Sequence, residues 1–361
     1  MEISWSQAGF LPSDANGKQT GLAGAFAGAC GDIVWVAGGS NFSKGLPWDG
    51  GAKVFYDTIY YFQKKKNKSG LVLLPKRDHL PVPIAYGSSI VVKNGVVCLG
   101  GQNASGFSAK VFLTTLTNES ASLHITPLPD LPFGLANAAG TFYQNKIYIA
   151  GGESMDGPSD QLLSLDIVAD KPYWQILAKL PKAVSHATMV AQVNGNHTSL
   201  YLIGGRRRDY SGISEMYSSV YRYEITADKW IPCQPLPYAL SAQTGVAYGK
   251  TSILIFGGDR GEVFSKVEKA LLAINEEPDP LKKAKLTRAK NELQNTHPGF
   301  SRKVLMYHTR NNTWTELNSM PFPAPVTTTA FLSGNNIIIP SGEIKAGVRT
   351  RQILVGKIIS K

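Results

Sequence analysis

Short apolar runs alternate along the chain with polar, turn-rich segments, and the apolar runs recur at a regular interval. Six of them end in a glycine pair or, in the last run, in serine and glycine. Their second glycines are Gly39, Gly101, Gly152, Gly205, Gly258 and Gly342. Most successive pairs lie roughly 50 to 60 residues apart, and a period of this size is typical of stacked repeat modules.

Each module carries two further landmarks that divide it into strands. A proline after leucine or methionine, such as Pro132 or Pro181, opens the module, and the stretch from there to the glycines fits two short strands joined by a tight turn. A third apolar run follows the glycines, and a fourth, often containing tryptophan, leads to the next proline. This pattern resembles the kelch type of β-propeller. We therefore predict an all-β, six-bladed kelch-type propeller that forms a single domain over residues 1–361.

The first residues of the chain fit the last blade of this ring. Trp5 stands as far before Pro12 as Trp174 stands before Pro181, so the stretch EISWSQ occupies the place of a fourth strand. We predict that it pairs with the C-terminal run QILVGKI and closes the last blade. A blade shared by both ends of the chain fastens the ring and leaves no open strand edge.

Two modules are longer than the rest. The first has an extra loop at residues 40–53, and the fifth has an insertion at residues 262–300 whose apolar residues recur at helical spacing. Both insertions leave the blade directly after the glycine pair. An element in this place is predicted to wall a pocket, although a subunit interface, as in a homodimer, is the alternative.

Composition narrows the range of partners. The net charge of +11, from 37 basic and 26 acidic residues, suits an anionic ligand. The basic run KKKNK at 64–68 lies between two strand-like runs and is interpreted as a hairpin turn, so no nucleic-acid partner is expected. No apolar stretch is long enough for a membrane span, and no membrane partner is expected. The widely spaced Cys30, Cys98 and Cys233 are interpreted as thiols outside any metal or redox motif.

The residues at the start of the chain bear on its location. They lack a basic leader followed by an apolar run, so no signal peptide is recognised in the sequence itself. A cleaved signal peptide would place the protein in the periplasm, which is the location we expect, and the cytoplasm remains the alternative.

In a four-stranded blade, the loop after the glycines and the start of the innermost strand reach the same face, around the central channel. Candidate substrate-binding residues on that face are Arg206, Arg260, Asn137, His186 and Gln243. Other interpretations stay open: an arginine run is typical of a solvated loop, and a histidine there is typical of a hydrogen-bonded residue near the core. Glu153 and Asp259 have the position of residues that cap turns. No metal site is expected, because His, Asp and Glu are not clustered at ligand spacing.

The segment SGEIKAGVRT, residues 341–350, provides the most specific signal. It resembles the GE-x-K-x-G-x-RT loop of the bacterial N-acetylneuraminate epimerases, or sialic acid mutarotases, which are six-bladed kelch propellers. The resemblance extends over the whole ring, and the position of the loop near the C-terminus is similar to the cyclically permuted branch of mutarotases. It implies that Glu343 and Arg349 form the active pair and that no cofactor is used.

The resemblance implies an isomerase that interconverts the α and β anomers of N-acetylneuraminate or a related acidic sugar. A carboxylate can remove and return a proton during ring opening and closure, and a guanidinium can bind the sugar's carboxylate in bidentate fashion. The competing hypothesis is a non-catalytic kelch module that binds a carbohydrate or a protein, because fold alone does not give function. A sugar-binding protein of polysaccharide utilisation is a third.

Overall fold

The computed structural model describes residues 1–13, 21–65, 70–116 and 122–359. Six four-stranded antiparallel sheets form the blades of a propeller. In each blade the strand that comes first after the opening proline is innermost and packs against the innermost strands of the neighbouring blades. The prediction of an all-β, six-bladed kelch-type ring is confirmed. The last three residues of the basic run at 64–68 lie outside the described residues.

The strands are named here by blade, from the innermost to the outermost. Blade 1 contains Phe26–Cys30, Ile33–Ala37, Thr58–Lys64 and Leu71–His79; blade 2 contains Ser88–Val92, Gly95–Leu99, Val111–Leu116 and Leu123–Leu128. Blade 3 contains Ala139–Tyr143, Lys146–Ala150, Leu162–Asp166 and Trp174–Ile176; blade 4 contains Thr188–Asn194, His197–Ile203, Val220–Glu224 and Lys229–Cys233. Blade 5 contains Thr244–Tyr248, Ser252–Phe256, Val304–His308 and Thr313–Glu316; blade 6 contains Phe331–Ser333, Asn336–Lys345, Val348–Ile359 and Glu2–Phe10.

Shorter elements extend the blades on the face that bears the glycine pairs. Small hairpins are formed by Ser40–Ser43 with Ala52–Phe55, Gln102–Asn103 with Gly106–Phe107, Glu153–Ser154 with Gly157–Pro158, and Arg206–Arg208 with Ser214–Met216. A 3₁₀ turn, Pro47–Asp49, lies in the first of these. The blade 5 insertion contains two helices, α1 (Glu262–Glu276) and α2 (Pro280–Asn295). In the parts of the chain that the structure describes, neither helix is long and apolar enough to cross a membrane.

The core of the protein lies between adjacent blades. The second strand of blade 1, Ile33–Ala37, is apolar and buried along its whole length, because both of its faces are covered. Trp35 and Tyr61 of blade 1, for example, pack in one cluster with Val96 and Cys98 of blade 2. Each blade therefore depends on its neighbours, and the ring must close for every face to be covered.

Closure occurs in blade 6, as the sequence predicts. Strand Glu2–Phe10 pairs antiparallel with strand Val348–Ile359, and Trp5 lies opposite Gly356. The ring of Trp5 meets Phe256 of blade 5 edge to face, with centroids 5.6 Å apart. The N-terminal strand thus adds hydrogen bonds to blade 6 and apolar contact to blade 5.

A circle of backbone hydrogen bonds surrounds the channel just before the innermost strands. One residue of each blade has a left-handed backbone, with φ between 52° and 65°, and its N–H donates to the carbonyl of its counterpart in the preceding blade at 2.7 to 3.2 Å. The six residues are Gly24, Tyr86, Asn137, His186, Ala242 and Thr327. This circle fixes the height and direction of the loops that carry the candidate site.

Ser341 takes the place of a first glycine in blade 6. Its φ is +57°, close to the 61° to 68° of the five first glycines that it replaces in the pattern. A serine is unusual in this conformation. Its hydroxyl accepts from the N–H of Leu22 at 2.7 Å and donates to the carbonyl of Thr350 at 2.6 Å. The substitution therefore joins blade 6 to the loop that enters blade 1.

Candidate functional site

The residues that directly follow the glycine pairs occupy equivalent positions in the six blades. Each forms an isolated antiparallel bridge with the residue just before the left-handed position. The six are Ser40, Gln102, Glu153, Arg206, Asp259 and Glu343. Their side chains are consequently presented on one face around the channel.

Residues of this face and of the blade 5 insertion line a cavity of about 200 Å³. The polar side chains that the propeller contributes include Glu343, Asp259, Arg206 and His186. The insertion contributes Val263, Phe264, Val267, Gln294, His297 and Phe300. The insertion therefore forms a wall of the pocket, which is one of the two roles that the sequence leaves open for it.

Two contacts hold the insertion over the cavity. The buried carboxylate of Glu268 in α1 accepts from both the N–H and the hydroxyl of Ser214, each at 2.8 Å. At the end of α2, Asn295 accepts from the indole N–H of Trp48 at 2.8 Å, which connects the insertion to the extra loop of blade 1. The apolar face of α1 is thereby kept against the site.

Glu343 and Arg349 are direct partners across the long hairpin of blade 6. Glu343 Oε2 lies 2.9 Å from Nη2 of Arg349, and its Oε1 accepts from the N–H of Gly347 at 3.0 Å. Burial raises the pKa of the Glu343 carboxyl, whereas Arg349, the Gly347 N–H and Lys53 act in the opposite direction. The result is a carboxylate held in a fixed orientation at the wall of the cavity.

Arg349 lies behind Glu343 and is absent from the residues that line the cavity. Its side chain is 4% exposed, against 20% for Glu343, and its guanidinium stacks on Phe42 at 4.2 Å. Its Nε and Nη1 have no hydrogen-bond partner among the described residues. In this arrangement its charge is directed at Glu343, and the arginine that lines the cavity is a different cation.

That cation is Arg206, which is oriented by a chain of hydrogen bonds. Its Nη2 lies 3.2 Å from Nε2 of His186, whose Nδ1 lies 2.9 Å from Oγ of Ser185. Ser185 in turn donates to Glu153 at 3.0 Å. An arginine can only donate, so Nε2 of His186 accepts and its Nδ1 carries the proton. Each bond in the chain thus has one direction.

The charge state of His186 agrees with this direction. Burial and the neighbouring Arg206 lower the pKa of His186 to about 3, and Glu153 opposes them only in part. The imidazole is therefore neutral at physiological pH. Arg206 also stacks on Phe264 of α1 at 4.6 Å, so its guanidinium is held from both the propeller and the insertion.

Sequence comparison identifies the family of the chain. The family model described as N-acetylneuraminate epimerase matches residues 128–361. The chain belongs to the N-acetylneuraminate epimerase family. The match covers the end of blade 2, all of blades 3 to 5 and the three C-terminal strands of blade 6, and so includes the cavity's Arg206, Asp259 and Glu343.

Curated relatives of this family are similar at a modest level. A protein named N-acetylneuraminate epimerase from Haemophilus influenzae (strain PittEE) is 26% identical over 235 residues, or 64% of this chain and 60% of the relative. One of the same name from Salmonella typhi is 24% identical over 233 residues, or 64% of this chain and 58% of the relative. The chain therefore spans about 60% of the length of the relatives that it matches.

Three of the substrate-binding candidates predicted from the sequence are not part of the cavity wall. Arg260 projects outward, with 51% of its side chain exposed, and stacks on Tyr238. Gln243 is one position beyond the left-handed residue Ala242, and its amide donates to the carbonyl of Ile203 within the sheets. Neither side chain lines this cavity, and their contact with substrate stays a prediction.

Asn137 is the third of these residues. It occupies a left-handed position on the channel, and its amide donates to Oε2 of Glu153 at 3.2 Å. It contributes to the site by holding the last member of the hydrogen-bond chain that orients Arg206. Glu153 is accordingly a structural partner: burial raises the pKa of its carboxyl, but Arg206 and the hydrogen bonds from Ser185 and Asn137 help to hold it below its usual value.

Two side chains of the cavity had no functional role in the sequence prediction. Asp259 caps the turn as expected, since its Oδ1 accepts from the N–H of Gly261 at 2.8 Å, yet it also lines the cavity. His297 follows α2, is 8% exposed and packs against Phe300. It lies in an insertion with no counterpart in the other blades, so no repeat pattern could identify it.

Proposed function

We propose that the protein interconverts the α and β anomers of N-acetylneuraminate or of a related acidic sugar, by opening and re-closing the sugar ring. The observation that carries this proposal is the position of Glu343, a buried and rigidly held carboxylate at the wall of a cavity beneath α1. Membership of the N-acetylneuraminate epimerase family supports the same substrate class.

Glu343 acts as the base that removes the proton of the anomeric hydroxyl and returns it when the ring re-closes. Burial raises its pKa above the ordinary carboxyl value, which brings it nearer to the working pH, where general catalysis is most effective. Arg349 keeps the carboxylate ionised and oriented. The pair therefore works as one unit, with Glu343 in contact with substrate and Arg349 supporting it.

The carboxylate of the acidic sugar is bound by Arg206. This guanidinium lines the cavity, is fixed by His186 and Phe264, and offers a planar set of donors that matches a carboxylate. Burial lowers the pKa of Arg206, with Glu153, Asp259 and Glu268 acting against this, but an arginine remains charged. An anion replaces water there at small cost, because the cation is already desolvated.

The test is to follow freshly released α-N-acetylneuraminate by NMR, with and without the protein. Faster approach to the anomeric equilibrium is expected. A non-catalytic carbohydrate-binding module would bind the sugar, as seen by saturation transfer from the protein, yet leave the rate unchanged. A protein-binding module would do neither. Both of these outcomes contradict the proposal.

Several expectations drawn from the sequence stay predictions. They are the folding of residues 1–361 as a single domain, a periplasmic location and a homodimer. None of them is needed for the proposed reaction, since the cavity is formed within one chain.

A further inference from the structure

Two carboxyl groups share the cavity, and they come from equivalent positions in adjacent blades. Asp259 of blade 5 bridges to Ser241, and Glu343 of blade 6 bridges to Val326. Both side chains line the same cavity of about 200 Å³. The two carboxyls are near enough for the charge of Asp259 to influence the titration of Glu343.

The surroundings of the two carboxyls differ. Each oxygen of Glu343 has a donor, one from Gly347 and one from Arg349. Asp259 accepts a single hydrogen bond, from Gly261 to Oδ1, and its Oδ2 has no hydrogen-bond partner within the described ranges. An ionised carboxylate gains most from several donors, whereas a carboxylic acid needs one free oxygen for its proton.

The surroundings of Asp259 also influence its pKa. Burial is the largest influence and raises its pKa, Glu262 adds to this, and the cations Arg206 and His297 oppose it. His297 is mostly neutral, because burial and Lys345 lower its pKa, although Asp259 works against them. Its Nδ1 accepts from the N–H of Gly299 at 3.0 Å, so the neutral ring carries its proton on Nε2. The opposition from His297 is correspondingly weak.

Opening a cyclic sugar requires two proton transfers at two different oxygens. The anomeric hydroxyl must lose a proton, and the ring oxygen must gain one as its bond to the anomeric carbon breaks. A single carboxyl would have to reach both oxygens in turn. Glu343 is fixed by Arg349 and Gly347 and has little freedom to do so.

We propose that Asp259 is the second catalytic group of the site and supplies the proton that the ring oxygen takes up, while Glu343 acts at the anomeric oxygen. This assignment rests on the proposed mutarotase function. It divides the acid and base roles between two carboxyls whose environments differ, which is a general way for one site to run both kinds of chemistry.

The step is balanced without any co-reactant. Glu343 takes the hydroxyl proton, the O–H electron pair forms the new C=O bond, and the bond from the anomeric carbon to the ring oxygen breaks. Its electron pair goes to the ring oxygen, which binds the proton of Asp259. After rotation of the open chain, Asp259 takes that proton back as the ring oxygen attacks the other face of the carbonyl. Glu343 then protonates the new anomeric oxygen, and both groups regain their starting states.

The experiment compares the wild-type protein with Asp259→Asn, and uses Glu276→Gln as the control. Glu276 is the last residue of α1, is exposed and is not part of the cavity wall, so the control removes a negative charge from the same insertion without touching the site. Anomer exchange of N-acetylneuraminate is followed by NMR, and binding of the sugar is measured separately. Asp259→Asn should lower the catalysed rate by about 100-fold or more while binding stays within a few-fold. The control should match wild type.

The dependence on pH separates a catalytic role from a structural one. Wild type needs Glu343 ionised and Asp259 protonated, so its rate should fall at both low and high pH. In Asp259→Asn the fall at high pH should disappear, whereas the fall at low pH, which reports the protonation of Glu343, should remain. Asp259→Glu, which keeps a titrating group, should retain the fall at high pH.

The outcomes are distinguishable. An Asp259→Asn protein with the wild-type rate, or with an unchanged fall at high pH, would overturn the role of Asp259 and leave the proposed function intact. No acceleration by wild type at any pH would overturn the proposed function itself. If Asp259→Asn does not fold, the wild-type profile and Asp259→Glu still decide, because a profile without a fall at high pH contradicts the proposal.

Discussion

The guanidinium of Arg349 lies 2.9 Å from the carboxylate of Glu343 and is almost completely buried, with 4% of its side chain exposed. Glu343 is the member of this pair that lines the cavity. A buried cation in contact with a buried carboxylate favours the ionised form of the carboxylate and restricts its motion. The pair therefore accounts for how a carboxyl with a raised pKa can still serve as a base.

Replacing Arg349 by methionine should impair the base at low pH more than at high pH. Without the guanidinium the pKa of Glu343 rises further, so a larger fraction is protonated and inactive below that pKa. The rate should fall by about 10-fold or more near pH 6 and recover in part as the pH rises. The measurement is the pH profile of kcat/KM for N-acetylneuraminate.

Arg351→Met is the matched control for this change. Arg351 lies two positions along the same strand, stacks on Phe10 and is not part of the cavity wall. Its replacement should leave the profile unchanged. An Arg349→Met profile parallel to wild type at every pH would show that Arg349 does not act through the pKa of Glu343.

Removing the Ser185 hydroxyl should weaken substrate binding more than it slows the reaction. Ser185 connects His186 to Glu153, and this connection fixes the tautomer of His186 and hence the acceptor for Arg206. Ser185→Ala should raise KM about 5- to 10-fold, equivalent to about 1 kcal/mol, with kcat changed less than twofold. Steady-state kinetics by NMR separate the two constants.

Ser241→Ala provides the comparison. Ser241 occupies the equivalent position in blade 5, and its hydroxyl has no hydrogen-bond partner among the described residues. This variant should keep the wild-type KM. A fall in kcat at constant KM in Ser185→Ala would contradict the role assigned to the hydrogen-bond chain.

Ser341→Ala should destabilise the propeller. It keeps a side chain at φ +57° but removes the acceptor of the Leu22 N–H and the donor to Thr350 in a completely buried place. The expected loss is about 1 to 3 kcal/mol in the free energy of unfolding, measured by urea denaturation. Ser341→Gly should lose less, because glycine adopts this backbone without strain. Equal stability of Ser341→Ala and wild type would contradict this account.

The architecture could be predicted from the sequence because each blade repeats the same local pattern. The glycine pair, the opening proline and the tryptophan of the fourth strand recur in register, and the place of Trp5 in that pattern was enough to predict closure in blade 6. The contact between Glu343 and Arg349 was predictable for a similar reason. Both lie in one short hairpin, so their separation along the chain brings them opposite each other.

The parts that could not be predicted depend on backbone conformation and on the insertion. The left-handed circle is held by main-chain groups, so its members can differ as widely as Tyr86 and Ala242, and Gln243 lies one position beyond the blade 5 member. His297 reaches the cavity only through the path of α2 and the loop after it. The sequence could not show that Arg349 is buried whereas Arg206 faces the cavity. These positions depend on the packing of Arg349 against Phe42 and of Arg206 against Phe264.

The most direct test of the central claim is the anomer-exchange rate of N-acetylneuraminate with Glu343→Gln. Glutamine keeps the shape and can still accept from Gly347, but it cannot take a proton at working pH. We expect wild type to accelerate the approach to equilibrium and Glu343→Gln to lose about 100-fold or more of that acceleration, with a circular dichroism spectrum like wild type. Equal acceleration by the two proteins would contradict the account.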